Sequence, residues 1–188
     1  MEDGRPRLSS TIALARALSL LGHPFLIVPL TIAALTRSLF WTAVIAASTT
    51  VPLLVVISRK VRRGAWSDFD VSRHEQRAGL YYAGIPLMLL SAILLYFLDA
   101  SPALMRGVAA ATVMFLAGLL GNRFLKISLH MMVAAFCTVA LARTYPWSLL
   151  GTIPFLTSIA WSRRYLDRHT WPEIAVGLII GAVCAFAA

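Results

Sequence analysis

Three short polar stretches carry the residues capable of chemistry in this chain. SRRYLDRHTWPE, at 162–173, brings Arg163, His169 and Glu173 into one segment. RKVRRGAWSDFDVSRHEQRAG, at 59–79, supplies Arg77, and GNRFLKISLH, at 121–130, supplies Lys126, Ser128 and His130. Pooled, they give two histidines, a carboxylate and several fixed cations, a set suited to phosphate transfer without a metal. Arginine offers planar paired donors matched to phosphate oxygens, and lysine adds a point charge. Such cations stabilise the charge on a phosphoryl group in its transition state. A neutral imidazole attacks phosphorus when a carboxylate holds its other nitrogen and fixes the tautomer. A second imidazole protonates the departing oxygen. His169 and Glu173 are four apart, so on a helix they share a face.

The elements that must position these residues are apolar. The chain has 188 residues, 59% hydrophobic and 13% charged, with a mean hydropathy of +0.78. A water-soluble domain needs more polar surface than that, so the apolar residues face lipid. The net charge of +9 is clustered beside apolar runs. That is the pattern of loops at an anionic membrane surface rather than of a nucleic-acid binder. Apolar runs of spanning or near-spanning length lie at 11–36, 39–58, 78–98, 102–121, 127–142, 144–161 and 171–188. A crossing helix needs about 20 residues, and shorter ones are met by local thinning or by packing within a bundle. No segment shows the alternation of a membrane barrel strand. The expectation is therefore an all-α polytopic transmembrane bundle forming a single domain over 1–188. It has six or seven membrane segments, according to whether 127–142 and 144–161 both cross. The opening run lacks a small-residue cleavage site and reads as a retained first span. Cys137 and Cys184 lie inside apolar runs and read as small core residues, with no disulfide or metal framework.

Two crossings separate each polar stretch from the next, so all three are expected at one face of the membrane. On the seven-crossing reading that face holds fourteen of the seventeen bases, leaving Arg37, Arg106 and Arg143 opposite. Setting aside Arg77, Lys126 and Arg163 as site cations still leaves eleven against three. The positive-inside rule then turns the site and the N-terminus to the cytoplasm.

The spacing at 162–173, Ser-Arg, five residues, His, three residues, acid, resembles the third signature of the type 2 phosphatidic acid phosphatase superfamily. That family includes bacterial acid phosphatases, membrane lipid phosphatases and vanadium haloperoxidases. Its second signature is Pro-Ser-Gly-His, and ISLH at 127–130 keeps the Ser and the His. Its first is Lys, six residues, Arg-Pro, and DVSRHEQRA at 70–78 keeps only the Arg. The resemblance implies that His169 is a nucleophile forming a phosphohistidine, and that Glu173 orients it where the family usually has Asp. It makes His130 the general acid, and Arg77, Arg163 and Ser128 the holders of phosphate oxygens. It implies a metal-independent hydrolase with no cofactor, acting on a lipid phosphate monoester or pyrophosphate of phosphatidyl or polyprenyl type. A bacterial inner or plasma membrane is the expected location. Three departures stand out: Asp70 replaces the lysine, Leu129 the glycine, and Ile127 and Ala78 the prolines. Lys126, two residues before Ser128, is expected to serve as substitute cation, on its position alone.

Plainer roles compete for the same residues. Thr170 and Glu173 form a capping box, with Pro172 tolerated in the first turn. Arg164 and Arg168 fit ordinary positive loop residues. His130, at the mouth of a span, fits a packed interfacial residue. His23, before Pro24, has no partner in sequence and reads as structural, and His74 lies in a solvated loop. Asp68, Asp70 and Glu75 either balance that loop or pair with arginines. Two other functions compete as well. A prenyl or alcohol-phosphate transferase needs magnesium held by paired aspartates, for which DFD at 68–70 is a poor match. A lipid-binding or transport protein keeps the basic loops without catalysis.

Overall fold

The computed structural model describes residues 10–188, and among these every regular element is helical. Arg5 and Arg7, counted above among the site-side bases, lie outside the described residues. The run at 11–36, expected as one span, is two helices, α1 (Ser10–Leu21) and α2 (Pro24–Thr36), bent by 48° at the break. Pro24 cannot continue the backbone ladder of α1, and His23 caps α2 instead, its Nδ1 accepting from the Phe25 amide at 3.3 Å. Next come α3 (Leu39–Ile45), a π-helical turn at Ala46–Thr50 and α4 (Val51–Arg62), read together as one long helix. The wide turn sits where Pro52 withholds its amide from the carbonyl of Ser48.

The remaining helices are α5 (His74–Phe97), α6 (Pro102–Gly121), α7 (Leu129–Thr144), α8 (Leu149–Tyr165) and α9 (Trp171–Phe186). Three stretches, Leu39–Arg62, α5 and α6, are long and apolar enough to cross a membrane, and the bent α1–α2 pair makes four if taken as one span. Both α7 and α9 are apolar but have only 16 residues. That is about 24 Å of helix against a hydrocarbon core of about 30 Å. Large apolar side chains such as Leu30, Phe97, Leu150 and Ile179 stay exposed on the outside of the bundle, as a lipid-facing surface requires.

The core is centred on α7, whose His130, Met131, Met132, Val133, Ala134, Ala135, Cys137 and Thr138 are all buried. A helix apolar on all sides belongs inside. Its main partner is α9, which approaches through Gly177 and Gly181. A Cβ on Gly177 would stand 2.7 Å from the Ser128 carbonyl oxygen, and one on Gly181 would overlap that of Met132. Only a bare backbone permits that approach, the small-residue device of membrane helix pairs. It fixes the start of α9 against the start of α7, where the polar stretches converge. At the other end of the bundle, Arg37 donates to the Tyr145 hydroxyl at 3.2 Å, and Arg143 donates to the Ala185 carbonyl at 3.0 Å.

Candidate functional site

Each polar stretch is a junction between helices, and the bundle brings the three junctions to one end. Arg77 comes from the first turn of α5, Ser128 and His130 from the start of α7, and Arg163 from the last turn of α8. His169 precedes α9 and Glu173 lies in its first turn. Cross-links among them are direct. Arg77 donates to the Ile127 carbonyl, the Ser128 amide donates to the Glu173 carbonyl at 3.2 Å, and Arg168 donates to the Ser72 hydroxyl at 2.6 Å.

His169 is the centre of the arrangement and is only 3% exposed. Its Nδ1 lies 2.8 Å from Glu173 Oε2, and its Nε2 lies 3.1 Å from Arg77 Nη2. The partners dictate the tautomer. A carboxylate only accepts and a guanidinium only donates. The ring proton therefore sits on Nδ1, and the lone pair on Nε2 faces Arg77. Burial, and after it the charges of Arg77, Arg163 and Lys126, push the His169 imidazole down to about 2. It is neutral across the physiological range, so its contact with Glu173 is a hydrogen bond rather than an ion pair.

Glu173 does two things at once. The same Oε2 accepts from the Thr170 amide at 3.2 Å and completes the capping box of α9. The cap holds the carboxylate where His169 needs it.

The cations divide into three kinds. Arg77 is buried, and its Nε donates to the Val71 carbonyl at 3.2 Å. Val71 holds a φ of +48°, in the left-handed region, which costs a β-branched residue about 1–3 kcal/mol. That turn points its carbonyl at the guanidinium. Arg163 is 1% exposed and donates through Nη1 to Asp70 Oδ2 and to the Ser19 hydroxyl, both at 2.7 Å. Burial pushes the Asp70 carboxyl up, but Arg163, His23 and Arg168 together hold it below its ordinary value. Lys126 is half-buried and makes no hydrogen bond or ion pair among the described residues. Burial lowers its ammonium below the usual lysine range, Glu173 opposes this, and Arg77, Arg163 and Arg168 reinforce it.

His130, 4% exposed, packs edge-on against His23 with ring centroids 5.0 Å apart. His23 Nε2 in turn lies 3.7 Å from Asp70 Oδ1. Among the described residues, three buried polar atoms in this small volume have no hydrogen-bond partner: Ser128 Oγ, His130 Nε2 and Arg163 Nε. Leaving such a group unmade costs about 1–3 kcal/mol, and three together mark a place shaped for a polar ligand.

All seven residues expected from the sequence thus gather at one end. Asp70 takes the arginine-pairing role that the sequence left open for it, and Ser19 and His23, which sequence reasoning did not place there, join them. Asp70 pairs with Arg163, Ser19 caps the same guanidinium, and His23 bridges Asp70 and His130. The His23–Pro24 pair signals a helix break, but no spacing rule links it to a loop 47 residues away. His74 is tied to the Asn122 carbonyl, away from His169.

His23, Asp70 and His130 place ligand atoms within 4.8 Å of one another, a set able to hold a metal ion. The Arg163 guanidinium already on Asp70 opposes a cation there. The DFD pair is likewise engaged, Asp68 by Ser72 at 2.9 Å and Asp70 by Arg163, so it does not form a free magnesium cage. No family model, curated protein or solved structure matches the chain.

Proposed function

We propose that this protein is a membrane-embedded lipid phosphatase that works through a phosphohistidine on His169. The observation that carries the reading is the pairing of His169 Nδ1 with Glu173 while Nε2 faces Arg77. It supplies a neutral imidazole with its lone pair directed at a phosphate-binding guanidinium. The charges of Arg163 and Lys126 also act on that imidazole, and Arg163 Nε and Ser128 Oγ are buried atoms with no partner among the described residues.

In the first step Nε2 attacks phosphorus, the P–O bond to the lipid breaks, and His130 gives its proton to the departing oxygen. An anionic phosphate beside His130 favours the protonated ring. Glu173 stabilises the positive charge that develops on the His169 ring. In the second step water attacks the phosphohistidine, His130 takes the water proton, and phosphate leaves with the P–N bond broken. In six or seven spans the lipid stays in the bilayer while its head reaches the polar end. The collection of bases at that end supports a site facing the cytoplasm of a bacterial cell.

The test is phosphate release in EDTA from a panel of phosphatidyl and polyprenyl phosphates and pyrophosphates. His169→Ala abolishes release. His130→Ala slows esters with basic alkoxide leaving groups by about 10²–10⁴-fold and spares activated esters. Turnover that requires added magnesium would support the transferase chemistry instead, and lipid binding without turnover the carrier.

A further inference from the structure

A cavity of about 700 Å³ lies between α2, the α3–α4 helix, α6 and α7. It starts at His23, Asp70 and His130 and runs down the bundle to Arg106, Arg143 and Thr144 at the opposite end. Its walls between these ends are mostly apolar, with Val28, Ile45, Leu53, Met114 and Val133 among them, interrupted by hydroxyls such as those of Thr31 and Thr49. From His130 to Thr144, α7 rises about 21 Å. One leaflet of the hydrocarbon core is about 15 Å deep, half of the whole.

His130 lines this cavity and His169 does not. In a displacement at phosphorus the attacking and leaving atoms lie roughly in line, on opposite sides. With the nucleophile outside the cavity and the proton donor at its head, the leaving oxygen departs into the cavity. We propose that the cavity holds the hydrocarbon chain of the leaving group, and that the substrate carries one chain longer than a leaflet, of polyprenyl type, rather than the paired acyl chains of a phosphatidate. Acyl chains that end near mid-bilayer leave the half toward Arg106 unfilled, and an unfilled apolar wall forfeits its dispersion contacts. This inference rests on the phosphatase reading of the same site.

Trp41 lines the far part of the cavity and reports on what reaches it. The wild-type protein in detergent is titrated with polyprenyl phosphonates, which the enzyme does not cleave, carrying a nitroxide either at the chain terminus or beside the head. The emission that Trp41→Phe removes isolates Trp41 from the other four tryptophans; that component is quenched by the terminal label and not by the head label. Equal quenching of that component by both labels, or none by the terminal label, overturns the assignment. In turnover, kcat/KM rises by about tenfold or more as polyprenyl phosphates lengthen toward the full cavity. A phosphatidate handled as well as the longest polyprenyl phosphate also overturns it. Terminal quenching without phosphate release from any ester keeps the chain site and refutes the phosphatase reading. Release without that quenching keeps the phosphatase and refutes the chain site.

Discussion

Replacing Glu173 by Gln separates its two roles. Glutamine keeps a carbonyl oxygen that accepts from the Thr170 amide and from His169 Nδ1, so the cap and the tautomer survive. What disappears is the negative charge. When Nε2 attacks phosphorus the imidazole becomes cationic, and a carboxylate oxygen 2.8 Å from Nδ1 stabilises it. At that distance and an effective dielectric constant of about 20, the attraction is about 6 kcal/mol. An amide retains about 1 kcal/mol as a neutral hydrogen bond. Screening by the neighbouring cations trims the remainder to about 3–5 kcal/mol, a fall in kcat of about 10²–10⁴-fold. The cost in stability is only about 1 kcal/mol, from the lost charge at the start of α9. Thr170→Ala is the converse control, destabilising by about 1 kcal/mol through the cap with kcat nearly unchanged. The assay is phosphate release in detergent beside a thermal melt for each variant. If Glu173→Gln keeps kcat within about tenfold of wild type, Glu173 is a helix cap and nothing more.

Lys126→Ala lowers kcat/KM strongly with little change in melting temperature, because the ammonium is half-buried and has no ion-pair partner among the described residues. Asp70→Asn does the reverse in stability, by about 3 kcal/mol, since it leaves the buried Arg163 guanidinium without its countercharge; equal melting temperatures for the two variants would contradict the pairing. Acid destabilises the fold: unfolded imidazole takes a proton near 6.5, whereas His169 in the folded protein stays neutral down to about 2. Below about pH 6.5 the unfolded chain binds the extra proton, and stability falls by about 1.4 kcal/mol per pH unit. Melts should be flat above that pH and fall below it, with the slope reduced in His169→Gln; an unchanged slope would remove His169 as the cause. A cysteine at Arg63, in a protein lacking Cys137 and Cys184, reacts with an impermeant thiol reagent only after cells are permeabilised if the site faces the cytoplasm. Labelling of intact cells would reverse the sidedness.

The helical class was legible because composition and run length report directly on lipid exposure. The convergence of the polar stretches was legible too, since an even number of crossings returns a chain to one face. Glu173 was readable in both roles, because a spacing of four places it under His169 and a spacing of three makes the capping box with Thr170. The break at His23 was not readable as part of the site. Its partners, Asp70 and His130, depend on a bend whose angle comes from packing of α1 on α8, not from local propensity. The left-handed Val71 was equally hidden, because a β-branched residue ordinarily avoids that region and tertiary contacts hold it there: its side chain is buried with Ile57, Trp66 and Leu80, and its carbonyl accepts from Arg77. The close contact of the two short helices was not legible: α7 is buried, and α9 meets it along Gly177 and Gly181 while Ile179 and Val183 stay exposed on its other face.

The most direct test is to look for the covalent intermediate. The protein is mixed with a ³²P-labelled polyprenyl phosphate, quenched within the first turnover in alkali, digested and mapped. The account predicts phosphate on Nε2 of His169, stable to alkali and lost in acid, absent in His169→Ala and reduced in Glu173→Gln. Phosphate release at the wild-type rate with no label on His169, or label on another residue, would contradict it.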